Sequence, residues 1–390
     1  MSWPTVKLGD VCEIVSGATP STSVKENWGS DYFWATPKDL SSLNAQTISK
    51  TDRKISAQGL RSCSANLLPV NSVLFSSRAP IGLVAINTVP IATNQGFKSL
   101  IPNINCLDAK YLYFWLKKNK KNIDTMGVGA TFKEVSKAIV ARIEIPLPPL
   151  AQQKRIAAIL DKADAIKRKR EQAIAKLDQL AQSIFVEMFG DIESNSKKLS
   201  KVTLKDVCLR VTDGTHQSPK WQSDGVPFLF ISNIVNGEIV LKTNKYISNT
   251  TYDELTNRCR IEVGDVLYTT VGTYGNVAIV RTTEKFCFQR HIAHIKPDQN
   301  IVNSVFLSAM LYSNCVKRQA DRIAKGIAQK TVNLGDICKF IIFCPSIALQ
   351  EQFATRISKL EKLKASNIAA LEKHNQLFAS LQNQAFTGQL

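Results

Sequence analysis

The sequence is short of histidine, the commonest metal ligand. It has only four histidines, and two of them, His291 and His294, lie three apart in a strand-like segment. Their side chains then point to opposite faces and cannot share one ion. The nine cysteines are scattered, and none forms a C-x-x-C pair. Cys12, Cys208 and Cys338 sit in apolar patterns and read as small buried hydrophobes, consistent with a reducing cytoplasm. No hydrophobic run approaches the roughly 20 residues that cross a bilayer. Residues 1–4 lack a basic region followed by an apolar stretch, so neither a membrane span nor a secretory signal is expected. There is no G-x-x-x-x-G-K-[ST] loop for nucleotide phosphates. Gly127-Val128-Gly129 lacks a third glycine and leads into no helix.

What the chain has in excess is positive charge: 50 Lys+Arg against 32 Asp+Glu, a net +18. A polyanionic partner follows, nucleic acid or an acidic membrane surface. At 390 residues the default is two domains, with or without helical connectors.

The chain repeats itself. Residues 6–12 (VKLGDVC) return as 202–208 (VTLKDVC), with five of seven positions identical. Residues 70–77 (VNSVLFSS) return as 263–270 (VGDVLYTT), and 82–86 (GLVAI) as 275–279 (GNVAI). Asn94-Gln95 falls opposite Phe288-Gln289, Phe132 opposite Thr331, Pro146 opposite Pro345 and Gln153 opposite Gln352. Two homologous halves follow. Each begins with short β-branched segments broken by turns. In the first half, residues 108–121 read as a helix with Tyr111, Leu112, Trp115 and Leu116 on one face. An α+β domain is expected in each half.

Each half then ends in a long helix. Residues 151–189 contain no glycine or proline, and Ile156, Ile159, Leu160, Ala163, Ile166, Ile174, Leu177, Leu180, Ile184 and Met188 follow close to a heptad seam. A second stretch after Pro345 carries Leu349, Phe353, Ile357, Leu360, Leu363, Ile368, Leu371, Leu377 and Leu381. At about 1.5 Å per residue each is roughly 60 Å long. The expectation is an intramolecular antiparallel coiled coil; the alternatives are packing back on each helix's own domain, or oligomerisation. The cations at residues 167–170 (KRKR) spread around the helix, as a solvated flank or as contacts to phosphate.

Some local sequences resemble those of the specificity subunits of type I restriction-modification enzymes, and the layout of the whole chain fits them. Residues 145–157 (IPLPPLAQQKRIA) are similar to the family's proline-rich approach to its conserved helix, and 183–191 (SIFVEMFGD) to that helix's exit. Residues 384–388 (QAFTG) resemble its C-terminal end, and 213–216 (DGTH) and 264–267 (GDVL) recurring signatures of its target-recognition domains. The second proline-rich segment departs from this, keeping only Pro345. The resemblance implies an N-terminal target-recognition domain over 1–147, a central conserved helix over 148–190, a C-terminal domain over 191–345 and a final helix over 346–390. It implies double-stranded DNA as ligand, each domain reading one half of a split target and the helices setting the gap. It also implies two docked methyltransferase subunits that use S-adenosylmethionine, and translocase/nuclease subunits that use ATP and magnesium. The chain itself would hold no cofactor. It shows no proline-proline-aromatic motif of adenine methylases, since Leu150 follows Pro149, and no Glu-x-Lys after Asp298, so no catalysis of its own is expected. A subunit serving a fused nuclease-methylase partner, a freestanding nuclease or methylase, and a coiled-coil adaptor without DNA function are the rival readings.

Base reading needs side chains such as Arg, Lys, Asn and Gln on loops beside strands, and phosphate contacts need cations and hydroxyls. The candidates are Lys38, Ser76, Ser77, Arg78, Gln95 and Lys98 in the first half. In the second they are His216, Lys220, Asn233, Thr269, Thr270, Tyr274, Gln289 and Arg290. Across the copies, Ser76 is matched with Thr269, Ser77 with Thr270, Lys38 with Asn233 and Gln95 with Gln289. Ile156, Ile159, Ala163, Ile166, Phe353, Ile357 and Leu360 are the expected partner-facing residues.

Overall fold

The computed structural model describes residues 3–129, 133–257, 259–326 and 329–390, so Phe132 and the first two residues lie outside it. The chain parts into two units, Met1–Glu171 with Ala369–Leu390, and Gln172–Ile368.

In the first unit, apolar strands alternate with tight turns and form two small sheets. Cys12–Ser16, Lys98–Pro102, Val73–Phe75, Val84–Asn87 and Thr47–Ile48 follow one another across the larger sheet. Val73–Phe75 is buried on both faces, as its unbroken apolar run requires. In the smaller sheet Trp28–Ala35 lies between Arg53–Ile55, antiparallel, and Ile91–Thr93, parallel. The helix Ala109–Lys118 is capped by Asp108, whose carboxylate accepts the Tyr111 N–H at 3.0 Å. Tyr113 and Phe114 are buried beside the expected face. The end of the second long helix packs on this helix, with Phe386 5.4 Å from Tyr111 and Phe378 6.4 Å from Phe114 between ring centroids.

The second unit repeats the plan. Cys208–Asp213, Ile292–Pro297, Val266–Thr269 and Val277–Ile279 stand in the same order in its larger sheet. In the smaller, Val226–Leu229 lies between Tyr246–Ile247, antiparallel, and Cys287–Phe288, parallel. The duplicated sequence has therefore kept its strand order as well as its motifs.

The long helices run over Leu150–Phe189 and Ile347–Thr387, and glycines at positive φ, Gly190 and Gly388, follow them. Within the first unit they pair antiparallel: Gln152 Nε2 donates to Leu390 O at 2.7 Å, and His374 Nε2 lies 2.7 Å from Ala163 O. Within the second they do so again: Lys364 bonds Asp178 at 2.6 Å, and Phe353 packs on Phe185 and Phe189 at 5.7 and 5.4 Å. Pairing and packing back on a domain are both realised. Ile156, Leu160 and Ala163 join the core of the first unit together with Phe378 and Phe386 of the other helix. Phe353 and Ile357 join the core of the second with Phe185 and Phe189. This corrects the partner-facing set. Ile156, Ala163, Phe353 and Ile357 are buried in their own units, Ile159 and Leu360 are half-buried, and Ile166 alone is freely exposed. A heptad stripe broad enough to serve a partner was also broad enough to seal two domains.

The start of each helix is clamped by one buried glutamine. Gln153 Nε2 donates to Cys106 O and Pro148 O at 2.8 Å, while its Oε1 accepts the Asp108 N–H at 2.9 Å. Gln350 repeats this with Ile301 O, Pro345 O and the Asn303 N–H at 3.1, 2.9 and 2.8 Å. Gln153 thus corresponds to Gln350 rather than Gln352, and Pro148 rather than Pro146 to Pro345.

In the second unit a buried ion pair ties two strands where the first has Ser72 and Ser99. His294 Nε2 lies 2.6 Å from Asp265 Oδ2, and Lys296 is 3.4 Å from Asp265 Oδ1. Burial works against the imidazolium, but the bonds to Asp265 and Cys259 outweigh it and raise the His294 pKa above its usual 6.5. A raised folded-state pKa gives stability that is complete below pH 6.5 and is lost as pH rises through the folded value. The second unit's melting temperature is therefore expected to fall from pH 6 to pH 9, and Asp265→Asn to flatten that slope. An unchanged slope in the variant would show that the pair does not govern it.

Candidate nucleic-acid interface

Each larger sheet carries a loop at the end of its central strand, and the two loops share one hydrogen-bond plan. Ser76 Oγ donates to Pro80 O at 2.7 Å and accepts the Leu83 N–H at 2.8 Å. Thr269 Oγ1 donates to Thr273 O at 2.9 Å and accepts the Asn276 N–H at 3.0 Å. The Ser77 N–H donates to Gly96 O at 2.7 Å and the Thr270 N–H to His291 O at 2.9 Å. The matches Ser76–Thr269 and Ser77–Thr270 hold, but these four residues are buried. Their hydroxyls close turns or face inward, which corrects the expectation that they reach DNA. Lys98 is buried too, against Glu134, and Asn233 spends its amide on Val240 O and Lys242 O at 2.7 and 3.2 Å.

Two other matches shift by one residue. The Asn94 N–H donates to Ala35 O and the Gln289 N–H to Leu229 O, at 3.0 and 3.2 Å. Asn94 therefore corresponds to Gln289, and Gln95 to Arg290. Asp39 and Asn233 both cap a turn, accepting the Thr36 and Phe230 N–H at 2.8 and 3.0 Å, which places Lys38 opposite Ser232. The Val135 N–H reaches Ser77 O and the Val332 N–H reaches Thr270 O, both at 2.9 Å, so Thr331 is the counterpart of Glu134, not of Phe132.

With these corrections five of the candidates, Arg78, Gln95, His216, Gln289 and Arg290, lie at the loops. In the first unit Arg78 and Gln95 flank the Ser77–Gly96 contact, and Gln95 touches Thr19. Lys38 stands on the surface 3.7 Å from Asp52. In the second, Thr215 bridges to Gln289, and the Arg290 N–H donates to Thr215 O at 3.0 Å, which brings His216, Gln289 and Arg290 together. His216 Nε2 is 2.9 Å from Asp213 Oδ2. Tyr274 donates its hydroxyl to Asp321 at 2.6 Å, and Lys220 is exposed. Trp221 packs edge-on against Phe228 at 5.0 Å, with Lys245 Nζ 5.1 Å from its ring centre.

Sequence reasoning missed Gly17, and noted Gly214 only within the 213–216 signature without a reason for it. Each follows the first strand of its larger sheet, and a Cβ there would run into the backbone of residues 93–94 or 288–289. Only glycine lets the two loops close on each other, which explains the DGTH segment. It also missed Glu134. That carboxylate accepts from Arg78 Nε at 2.9 Å and from Lys98 Nζ at 3.0 Å. Partial burial opposes its charge, but the two cations hold its pKa below the ordinary range. Among the described residues no His/Cys/Asp/Glu cluster is fit for a metal, and no helix is long and apolar enough to cross a membrane.

The arrangement is thus a pair of rigid, cation-bearing loop clusters with different side chains at matched places. A family model, the type I restriction modification DNA specificity domain, matches residues 1–176 and again 196–373. The chain belongs to this family, and recognition of a DNA target is its role. It is 26% identical over 370 residues to the type I restriction enzyme MjaIX specificity subunit of Methanocaldococcus jannaschii, covering 90% of this chain and 84% of that one. It is 26% identical to the Escherichia coli EcoBI specificity subunit, over 77% of this chain and 70% of the relative. In fold it is similar to the type I restriction-modification S subunit of M. genitalium, with a TM-score of 0.59 at 14% identity, covering 99% and 96% of the two chains. A chain from a structural study of complex assembly and conformational transition in the type I system gives 0.58 at 19% identity, covering 100% and 98%.

Proposed function

We propose that each domain reads one block of a split, asymmetric target in double-stranded DNA, and that the long helices set the gap between the blocks. The observation that carries this is the matched pair of loop clusters. Arg78 stands opposite Val271, Gln95 opposite Arg290, and Glu134 opposite Thr331. One scaffold with different side chains at its loop tips is what two readers of different sequences need. The +18 charge supplies affinity for phosphate without regard to sequence.

We further propose that the helices dock two methyltransferase subunits and that the chain is not itself an enzyme. S-adenosylmethionine would act in those subunits, ATP and magnesium in translocase/nuclease subunits, all in the cytoplasm. Apolar side chains left exposed are suited to docking: Ile166 and Leu377 in the first unit, Leu180, Leu363 and Ile368 in the second. The test is co-expression with an adenine methyltransferase subunit, reading the complex's mass and the methylated motif. Two methyltransferases per chain and a two-block asymmetric motif are expected. A one-to-one complex, or methylation without a motif, overturns the reading.

A further inference from the structure

Arg78 stands in the loop that follows Val73–Phe75, with its side chain 46% exposed. Its backbone is held from two sides, since Ser77 beside it bonds both Gly96 and Val135. Its guanidinium makes one bond among the described residues, from Nε to Glu134 Oε2 at 2.9 Å. Glu134 is pinned in turn, because its other oxygen accepts from the nearly buried Lys98 at 3.0 Å. Nε is the donor nearest the side-chain stem. With it engaged, the planar fork is fixed in rotation, and the two terminal nitrogens are left as a pair of parallel donors. The O6 and N7 acceptors of guanine in the major groove are the base edge such a pair fits. At the equivalent bridge the second unit has Val271 and Thr331, side chains that cannot form an ion pair.

We propose that Glu134 is a positioning residue that aims Arg78 at a guanine, so that one G·C pair in the block read by the N-terminal domain is selected by the Arg78–Glu134–Lys98 chain. This rests on the proposal that each domain reads its own block. Lys98 confines the carboxylate and offsets the negative charge that would otherwise face DNA. The Glu134 carboxylate touches no base; it acts through the geometry of Arg78.

The test uses the whole complex with its methyltransferase, and measures methylation on a library varied at every position of both blocks. Arg78→Ala is expected to reduce preference for guanine at one position of one block by roughly 10- to 100-fold. Glu134→Ala should lower preference at that same position by a comparable factor. The double variant should go no further than Arg78→Ala alone, because the two residues act as one unit. Glu134→Gln, which keeps an acceptor for Nε, should retain part of the preference. The other block should be read normally throughout, which reports that the chain is folded and assembled. If Glu134→Ala fails to assemble, Glu134→Gln decides, by lowering guanine preference with the other block intact.

The inference is overturned if Arg78→Ala relaxes a position that both Glu134 variants leave sharp. It is also overturned if the variants weaken methylation of every sequence alike, which would make the bridge a structural tie. A defined motif that none of the variants alters sinks this inference and leaves the two-reader proposal standing. A wild-type complex with no motif sinks the two-reader proposal itself.

Discussion

Replacing Phe353 by alanine is expected to destabilise the second unit by about 3–5 kcal/mol, the range for removing a buried aromatic side chain from a packed core. Phe353 is almost fully buried and stands among Phe185, Phe189 and Phe306, with ring centroids 5.4 to 6.4 Å away. Those rings come from three segments: the end of the first long helix, the beginning of the second, and the helix Ser304–Tyr312. The cavity left by alanine would open all three contacts together. Hydrogen exchange is the suitable measurement, since it reports on each unit separately. Amides of Ser304–Tyr312 and of the first turns of the second long helix should exchange faster, while Ala109–Lys118 in the first unit stays protected. Leu363 provides the contrast. It lies ten residues further along the same helix and is 51% exposed, so Leu363→Ala should change stability by no more than about 0.5 kcal/mol. If Phe353→Ala behaves like Leu363→Ala, the aromatic cluster is not what holds the helix start to its domain.

The same helix shows where a sequence is readable and where it is not. The long helices were legible because residues 151–189 offer no glycine or proline to stop them. The duplication was legible because VKLGDVC and VTLKDVC share five of seven residues. Which apolar residues face a partner was not legible. Ile156 and Ile166 obey the same periodicity, yet one is sealed in a core and the other lies open. Periodicity reports that a stripe exists and does not say how many surfaces compete for it. Small hydroxyl residues misled in another way. A serine or threonine just beyond a strand can present its Oγ to a ligand or turn it back to close the loop, and Ser76 and Thr269 close loops. Glu134 was out of reach because it meets Arg78 across 56 residues of chain, and no local pattern marks such a pair. The shifted matches, Gln95 to Arg290 and Gln153 to Gln350, arise where loops of unequal length separate the recognisable landmarks. Hydrogen-bond partners settle these where residue identity misleads, as the glutamine of residues 94–95 and that of 288–289 are not equivalent.

Inserting four residues into both long helices, after Glu171 and after Ile368, is expected to widen the gap in the recognised DNA sequence and leave its bases alone. These points are where the chain passes between its two compact units, so neither core is cut. Both helices must be lengthened, because they pair antiparallel in each unit. A change in one alone would put Asp178 out of register with Lys364, or Gln152 with the chain end. Four residues add about 6 Å of helix, close to two base pairs at about 3.4 Å each. The loops that carry Arg78, Gln95, His216 and Arg290 are untouched, so both blocks should keep their sequence. Sequencing the methylated sites made when the lengthened chain is co-expressed with an adenine methyltransferase subunit, the partner proposed above, gives the result directly. A gap longer by one or two base pairs between unchanged blocks identifies the helices as the ruler. An insertion in the first helix alone should instead lower methylation of every target, by breaking one unit's pairing. If the doubly lengthened chain keeps the original gap, or changes the bases it selects, spacing is set elsewhere, and the long helices serve assembly alone.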